Sequence, residues 1–570
     1  MVVVAALLGR GLGILMPLAV ACTIYLYLYP VFGGCAFPVP SGSASEAFDV
    51  TRRLHWPYAK ANQQQQDGSY SGTKPAPFRL LSLGDPQLEG DSAIPTNING
   101  YFPHVQDIAK RVAFKTWHPS LRDRLRMIVH DIVDLFFEDI PDIFESVRKR
   151  LDLVGNDLYL AHIYRTMHWW TQPTHVTVLG DLIGSQWVED DEFERRGSRF
   201  WNRTFKGGQR LPDDLAQEPE DGHQVSGVLD GSDTEMVWTE RILNVAGNHD
   251  IGYAGDLTEE RMERFERVFG KANYELRFEL PIPNPELEST MRNDETNVDS
   301  DRIQPEIRII VLNDMNLDTP AKSAPLQDET YRFVNAIIGN SHPVEDKGGF
   351  TILLTHIPTY KPEGVCVDAP FFDFYPAEEG GGVREQYLLS SDASKGLYEG
   401  IMGVSGNTDA SGGGLGRPGL ILNGHDHAGC DTYHYINQTN GTDHTERAWE
   451  VTTWKDAQLR GIPNRKDRDI PGRREITVRS MMGDFHGNAG LVSLWFDWDR
   501  WEWQYEYSDC RLGRQHFWWL VHALDIIVVV AATLYAGITV AEANGVDVDG
   551  LLGKLLGSEN PLAVSYGKKD

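Results

Sequence analysis

Short apolar runs recur along the middle of the chain. They lie at 78–83, 175–179, 242–246, 307–312, 351–354, 420–422 and 476–479. Val, Ile and Leu dominate them, and Gly, Asn or Asp closes most of them, so each predicts a short buried strand. Between the first two runs the period changes. Leu121, Leu125, Ile128, Ile132, Leu135 and Phe136 recur at three- and four-residue steps, with Arg124 and Asp131 between them. That spacing predicts an amphipathic helix over 119–150 whose apolar face packs on the domain. Strand, loop and helix signals alternate, which predicts an α/β fold.

Two longer runs have no polar period. The first, 11–32, is 22 residues without a charge. At 1.5 Å per residue it is long enough for a hydrocarbon core roughly 30 Å thick. The second, 517–541, opens on Trp518 and Trp519, which suit a membrane interface. It also holds Asp525, expected at the headgroup border. The runs divide the chain into a short cytosolic N-terminus (1–10), a transmembrane helix (11–32), a stalk (33–77) with four glutamines at 63–66, a lumenal domain (78–515), a second transmembrane helix (517–541) and a cytosolic tail (542–570). Arg10 before the first run supports this orientation. Asn-x-Thr sequons at Asn202, Asn437 and Asn440 all fall between the two runs and favour a lumenal or external domain.

Charge narrows the chemistry. Lys and Arg total 53 against 82 Asp and Glu, a net charge of −29. Such a surface repels phosphate backbones and excludes a general nucleic-acid binder. It is compatible with a small or conjugated phosphorylated substrate if a bound metal supplies local positive charge. The five cysteines are too few for a disulfide scaffold. Cys366 and Cys430 are the favoured pair, because both follow motifs expected to converge. The stretches 205–236, 282–306 and 378–418 are acidic or rich in Gly, Pro, Ser and Asn, and are expected as surface loops.

Candidate chemistry gathers just after the strand-like runs. Gly84-Asp85-Pro86-Gln87 follows the first, Gly180-Asp181 the second and Gly247-Asn248-His249-Asp250 the third. Thr355-His356 follows 351–354, and Gly424-His425-Asp426-His427 follows 420–422. Ligands of α/β proteins collect at the C-terminal edge of the strands. Glycine before a ligand permits a sharp turn and a close approach. Mixed Asp, Asn and His ligation suits Mn, Fe or Zn, and a two-metal site needs a carboxylate to share. A lone Gly-Asp is uninformative, and a lone His-Asp-His reads equally well as a polar turn. The ordered set of five is specific.

That set resembles the calcineurin-like metallophosphoesterase family, whose pattern is Asp-x-His, Gly-Asp, Gly-Asn-His-Asp/Glu, His and Gly-His-x-His. The likeness runs from 78 to 430. It implies a β-sandwich flanked by helices, here with a transmembrane helix toward each end. It implies that Asp85 and His427 bind a first metal, that Asn248, His356 and His425 bind a second, and that Asp181 bridges both. His249 would stand beside the phosphate, with Asp250 orienting its ring. Where the family has His two residues after Asp, this chain has Gln87. An amide oxygen is harder and weaker than imidazole, so the implied pair of divalent ions tilts toward Mn²⁺ over Zn²⁺ or Fe. The alternative role for Gln87 is to hold a ligand water.

Asp85-Pro86-Gln87, the stretch Gly-Asp-Leu-Ile-Gly-Ser-Gln-Trp at 180–187 and the two flanking spans narrow the resemblance. They are similar to the fungal-type endoplasmic-reticulum branch that removes ethanolamine phosphate from mannose in glycosylphosphatidylinositol (GPI) anchors. That branch implies a phosphodiesterase of the endoplasmic-reticulum membrane, lumenal and cycling to the Golgi. Its partners would be the GPI glycolipid or anchored protein and export cargo receptors, and the second mannose is the expected target. Two alternatives stay open. One is a membrane-anchored phosphoesterase for another lipid or protein phosphate. The other is a non-catalytic export factor with a retained fold, against which the intact ligand set speaks. His486 reads as a polar turn in preference to a cleft-lining residue, Trp498, Trp501 and Trp503 as a β-strand packing face in preference to a sugar-stacking one, and His168 and His175 as packing or surface residues.

Overall fold

A computed structural model describes residues 3–40, 42–55, 73–90, 102–216, 219, 224–230, 237–282, 302–437, 448–463 and 470–555. They form two compact units, Gly33–Leu512 and a terminal unit of Met1–Phe32 with Gly513–Asp570.

The larger unit is built on strands β1 (Phe78–Leu83), β2 (His175–Val178), β3 (Gln209–Arg210), β4 (Gly227–Val228), β5 (Arg241–Asn244), β6 (Tyr274–Glu279), β7 (Arg302–Val311) and β8 (Lys347–Leu354). It continues with β9 (Phe372–Phe374), β10 (Val383–Gln386), β11 (Gly419–Asn423), β12 (Cys430–Ile436), β13 (Trp449–Thr453), β14 (Gly472–Thr477), β15 (Asn488–Asp497) and β16 (Glu502–Arg511). One sheet has the order β16-β15-β1-β2-β5-β3, the other β13-β12-β14-β11-β8-β7-β6-β4, and β9 pairs with β10 alone. Leu80, Leu243 and Val492 of the first sheet share one buried core with Ile309, Ile352 and Leu420 of the second. The architecture is therefore the expected α/β sandwich. Each such side chain contributes about 1.5–3 kcal/mol when fully buried. All seven strand-like runs of the sequence are strands.

In the terminal unit, helices Val3–Tyr27 and Gln515–Ala543 pack on each other. Both are long and apolar enough to cross a membrane. The first begins at Val3, earlier than the expected 11–32, because one charge at Arg10 does not interrupt helical hydrogen bonding. It gives way before Pro30 to a separate turn, Tyr29–Phe32. The Thr23 hydroxyl donates to Asp525 at 2.9 Å, so the carboxylate has a partner on the other helix.

Several expectations need correction. The helix at 119–150 exists but is longer: Leu121–Asp134 runs through a π-helical turn, Leu135–Asp139, into Ile140–Thr171. Its apolar face does not pack on the domain. Leu121, Leu125, Ile132 and Phe136 are exposed, and so is the next stripe, Phe144, Val147, Leu151, Val154 and Leu158. Periodicity reveals an apolar face and is silent on what covers it. The stretch 378–418 is no simple surface loop. It holds β10 and the helix Ser391–Lys395, and it buries Leu388, Leu389, Tyr398 and Met402. The described part of 205–236 likewise holds β3 and β4 and buries Phe205, Leu211 and Leu229. The rest of 205–236, most of 282–306, the glutamines at 63–66, the sequon at Asn440 and the end of the 542–570 tail lie outside the described residues. Asn202 is exposed.

Cys366 and Cys430 form the expected disulfide. A second joins Cys35 to Cys510, 475 residues apart, and links the two ends of the larger unit. Trp501 and Trp503 are buried in the core with Trp498 packed against them, and His175 stacks on Phe78, as a packing reading requires.

A buried charge network underlies the strands that carry the histidines. Glu475 on β14 is fully buried, with Lys361 Nζ at 2.7 Å and His434 Nε2 at 3.0 Å. It also accepts from the Thr359 N–H and from Asn423 Nδ2. Burial opposes its ionisation, but the Lys361 ammonium outweighs burial and holds the carboxyl below the usual range. Glu475→Ala leaves a buried ammonium unpaired and is expected to cost about 3–5 kcal/mol. Denaturant unfolding of the purified protein measures this, and a loss under about 1 kcal/mol contradicts it. The sign with pH follows from the lowered pKa. This contribution is complete above the pKa of an unfolded glutamate, about 4.3, and declines as pH falls toward the folded value.

Candidate metal centre

Three strands of one sheet and two of the other deliver the site. β1, β2 and β5 run parallel side by side, as do β8 and β11. Their C-terminal ends carry Asp85, Asp181 and Asn248 on one side and His356 and His425 on the other. The side chains meet. His356 Nε2 lies 3.2 Å from Asp181 Oδ1 and 3.1 Å from Asn248 Oδ1. His425 Nδ1 lies 3.0 Å from the same Asn248 oxygen. Ligand atoms of Asp181, His356 and His425 converge within 4.8 Å of one another, and so do those of Asp85, Asp181 and His427. Asp181 belongs to both clusters.

The local backbone is shaped for this. Asp85, Gln87, Asp181 and His425 have φ of +47°, +42°, +51° and +69°. Left-handed backbone at non-glycine residues costs on the order of 1–3 kcal/mol each and collects at functional sites. Two glycines allow the loops to touch. A Cβ on Gly180 would lie 2.2 Å from His356 Nδ1, and one on Gly247 would lie 2.2 Å from the Asp181 nitrogen.

Neighbouring backbone sets the imidazole tautomers. His356 Nδ1 donates to the Leu179 carbonyl at 2.7 Å, and His425 Nε2 donates to the Gln386 carbonyl at 2.8 Å. A carbonyl can only accept, so these nitrogens carry hydrogen. The opposite nitrogens are turned toward Asn248, as metal-ligating histidines usually are.

The electrostatics call for cations. Burial raises the Asp85 carboxyl to about 8, opposed by His356 and reinforced by Asp181. Burial would also raise Asp181, but His356 and His249 outweigh it and hold Asp181 below the usual range. Burial would lower His356, yet the Asp181 carboxylate outweighs that and raises the ring to about 10. Burial and the neighbouring His356 lower His425 to about 3. Asp85 Oδ1 accepts the His425 N–H at 2.8 Å, whereas its buried Oδ2 has no partner. A divalent cation would pair that oxygen and relieve the raised carboxyl. The donor set of two carboxylates, an amide oxygen and three imidazoles fits such ions.

Two expected roles change. Asp250 does not reach the His249 ring. Its oxygens accept from the N–H groups of Gly247, Leu182 and Ile183, so it pins the Asp181 and Asn248 loops together. The reason is burial: a carboxylate with no water must take the nearest backbone donors. Gln87 does enter the cluster, but by its nitrogen, which donates to Asp181 Oδ2 at 2.9 Å and to His427 Nε2 at 3.1 Å. In that pose it positions ligands, and ligation by its oxygen requires the amide to turn over.

His249 donates its backbone N–H to Asp181 Oδ1 at 2.9 Å, and its ring Nε2 stands 3.8 Å from Asp181 Oδ2. His486 caps a short turn, Gly483–Phe485, and the neighbouring Phe485 packs on His427 instead. Sequence reasoning missed Asp314, which follows β7, is fully buried, and accepts the His356 N–H at 3.3 Å. Its place after an apolar run was the available signal. Gln386 was missed because its stretch reads as a loop.

No family model matches the chain. It is 32% identical over 555 residues to Protein TED1 of Saccharomyces cerevisiae, covering 90% of this chain and 95% of that protein. It is 28% identical over 360 residues to an uncharacterised protein of Schizosaccharomyces pombe, covering 60% of this chain and 63% of that one. It is 25% identical over 302 residues to metallophosphoesterase 1 of Danio rerio, covering 50% of this chain and 60% of that protein. Likeness along nearly the whole chain, joined to a ligand order that closes into two clusters around one aspartate, makes the chain a member of the calcineurin-like metallophosphoesterases, a family of metal-dependent phosphoesterases.

Proposed function

We propose that the protein is a phosphodiesterase that removes ethanolamine phosphate from a mannose of the GPI-anchor glycan. It would act from the lumenal side of the endoplasmic-reticulum membrane, cycle to the Golgi, and support export of anchored proteins with cargo receptors. The observation that carries the reading is Asp181, which belongs to both ligand clusters at the base of an open cavity. Asp85, His427 and Asp181 would hold one metal, and Asp181, Asn248, His356 and His425 the other. Divalent cations bound there supply Lewis acidity to the phosphoryl oxygens.

The chain's own groups do the rest. The Leu179 and Gln386 carbonyls fix the imidazole tautomers. Asp250 holds the loops that carry Asp181 and Asn248. His249 lines the cavity and would protonate the leaving sugar oxygen. Two helices able to cross a membrane suit a substrate confined to a bilayer.

The test is a mass spectrum of GPI glycans from cells whose only copy carries His425→Ala. An extra phosphoethanolamine on one mannose, with the second mannose expected, supports the reading. Unchanged glycans would leave a phosphoesterase with another substrate. A further expectation concerns Gln87. Gln87→His should shift metal preference from Mn²⁺ toward Zn²⁺, read as relative activity after chelation and reloading. An unchanged ranking counts against ligation by the Gln87 oxygen.

A further inference from the structure

Above the ligand clusters lies a cavity of about 940 Å³. Its walls are unusual for a site that meets only an anion. Phosphate sites are ordinarily lined by arginine and lysine. Here the sole Arg or Lys among the lining residues is Arg384, already paired with Asp373 at 2.6 Å. Asp368 and Glu385 also line the cavity, and neither has an ion-pair partner among the described residues. Carboxylates beyond those that hold metal would repel a simple phosphodiester. They suit a substrate that carries its own positive charge.

Two further features sharpen this. Gln186 lines the same cavity, is only 4% exposed, and its Oε1 has no hydrogen-bond partner. A buried acceptor without a donor costs stability unless a ligand supplies one. The walls are also aromatic. Trp187 and Tyr387 line the cavity, are 68% and 51% exposed, and offer ring faces without being closed into the core. Tyr387 stands 6.5 Å from the His425 ring, ring centre to ring centre, so this wall adjoins the ligand clusters. Aromatic faces with carboxylates recognise ammonium groups. Glu385 directly precedes Gln386, whose carbonyl touches His425, which places it at the same wall.

We propose that this cavity is an ammonium subsite beside the metals: Gln186 and Glu385 accept the N–H groups of a primary ammonium carried by the phosphodiester, and Trp187 and Tyr387 flank it. This deepens the phosphodiesterase reading above and rests on it. It makes the enzyme select a zwitterionic diester over an anionic one of equal size, before any contact with a glycan.

The experiment compares two esters on the full-length protein in detergent, loaded with Mn²⁺: 2-aminoethyl 4-nitrophenyl phosphate and ethyl 4-nitrophenyl phosphate. The wild type should favour the aminoethyl ester at least about tenfold in kcat/KM. Glu385→Gln should lower kcat/KM for the aminoethyl ester about tenfold, mainly through KM, and raise it for the ethyl ester, because a repelling carboxylate is gone. Trp187→Ala should narrow the same preference. A merely structural role for Glu385 would move both esters the same way. Equal rates on the two esters in the wild type, or parallel losses in Glu385→Gln, overturn the subsite and leave the phosphodiesterase standing. Hydrolysis of neither ester overturns both.

Discussion

Asp181→Asn abolishes hydrolysis, lowering kcat by about 10³-fold or more. The substitution keeps the size of the side chain and removes its charge. Asp181 supplies one oxygen near His356 and the other near Gln87 and His427, so it serves both clusters at once. An amide offers one oxygen where the carboxylate offers two. One cluster therefore loses a ligand outright, and the other keeps a weaker one. A metal contributes several kcal/mol to stabilising charge at phosphorus, and each 1.36 kcal/mol is tenfold in rate. Assay of the purified variant checks this, with its metal content measured alongside. The fold should survive, because the change relieves repulsion between the buried Asp85 and Asp181 carboxylates. Retention of more than a tenth of the activity would sink the bridging role.

Gly247→Ala should be nearly as damaging without replacing a ligand. A Cβ at Gly247 would lie 2.2 Å from the Asp181 nitrogen and 2.4 Å from Asp181 Oδ1. The nearest obstacle is backbone, so no rotamer change relieves it, and the Asp181 loop must move away from Asn248. Displacement of catalytic groups by about 1 Å can cost 10²-fold in rate. Overpacking of this kind costs about 1–3 kcal/mol of stability. The expected result is a folded protein with activity down about 10²-fold and weakened metal binding. Wild-type activity in this variant would mean that the two loops need not touch.

The strand ends were legible because each signal was local. An apolar run followed by Gly and a polar ligand type states both the element and its chemistry, and Asp85, Asp181, Asn248, His356, His425 and His427 all converge as that pattern requires. The disulfide of Cys366 and Cys430 was legible for the same reason, since each follows a converging motif. What stayed hidden depended on distant contacts. The donors to Asp250 include backbone N–H groups of another loop, so adjacency to His249 misled. Gln386 sits in a glycine-rich stretch, yet its carbonyl fixes the His425 tautomer. The antiparallel pair β15 and β16 was read only through Trp498, Trp501 and Trp503 as a strand packing face, although Trp503, Tyr505 and Tyr507 alternate with polar residues along β16, an edge strand. The exposed stripe from Phe144 to Leu158 shows the remaining limit, since an apolar period has the same form whether or not protein covers it.

The most direct measurement is the metal content of the purified full-length protein, beside that of Asp181→Asn, by elemental mass spectrometry after removal of loosely held ions. A two-metal centre around Asp181 predicts about two divalent ions per wild-type chain, clearly fewer in the variant, and hydrolysis that tracks the loss. A wild-type enzyme that hydrolyses phosphodiesters at full rate with no bound metal, or a variant that keeps both ions and its activity, would contradict it.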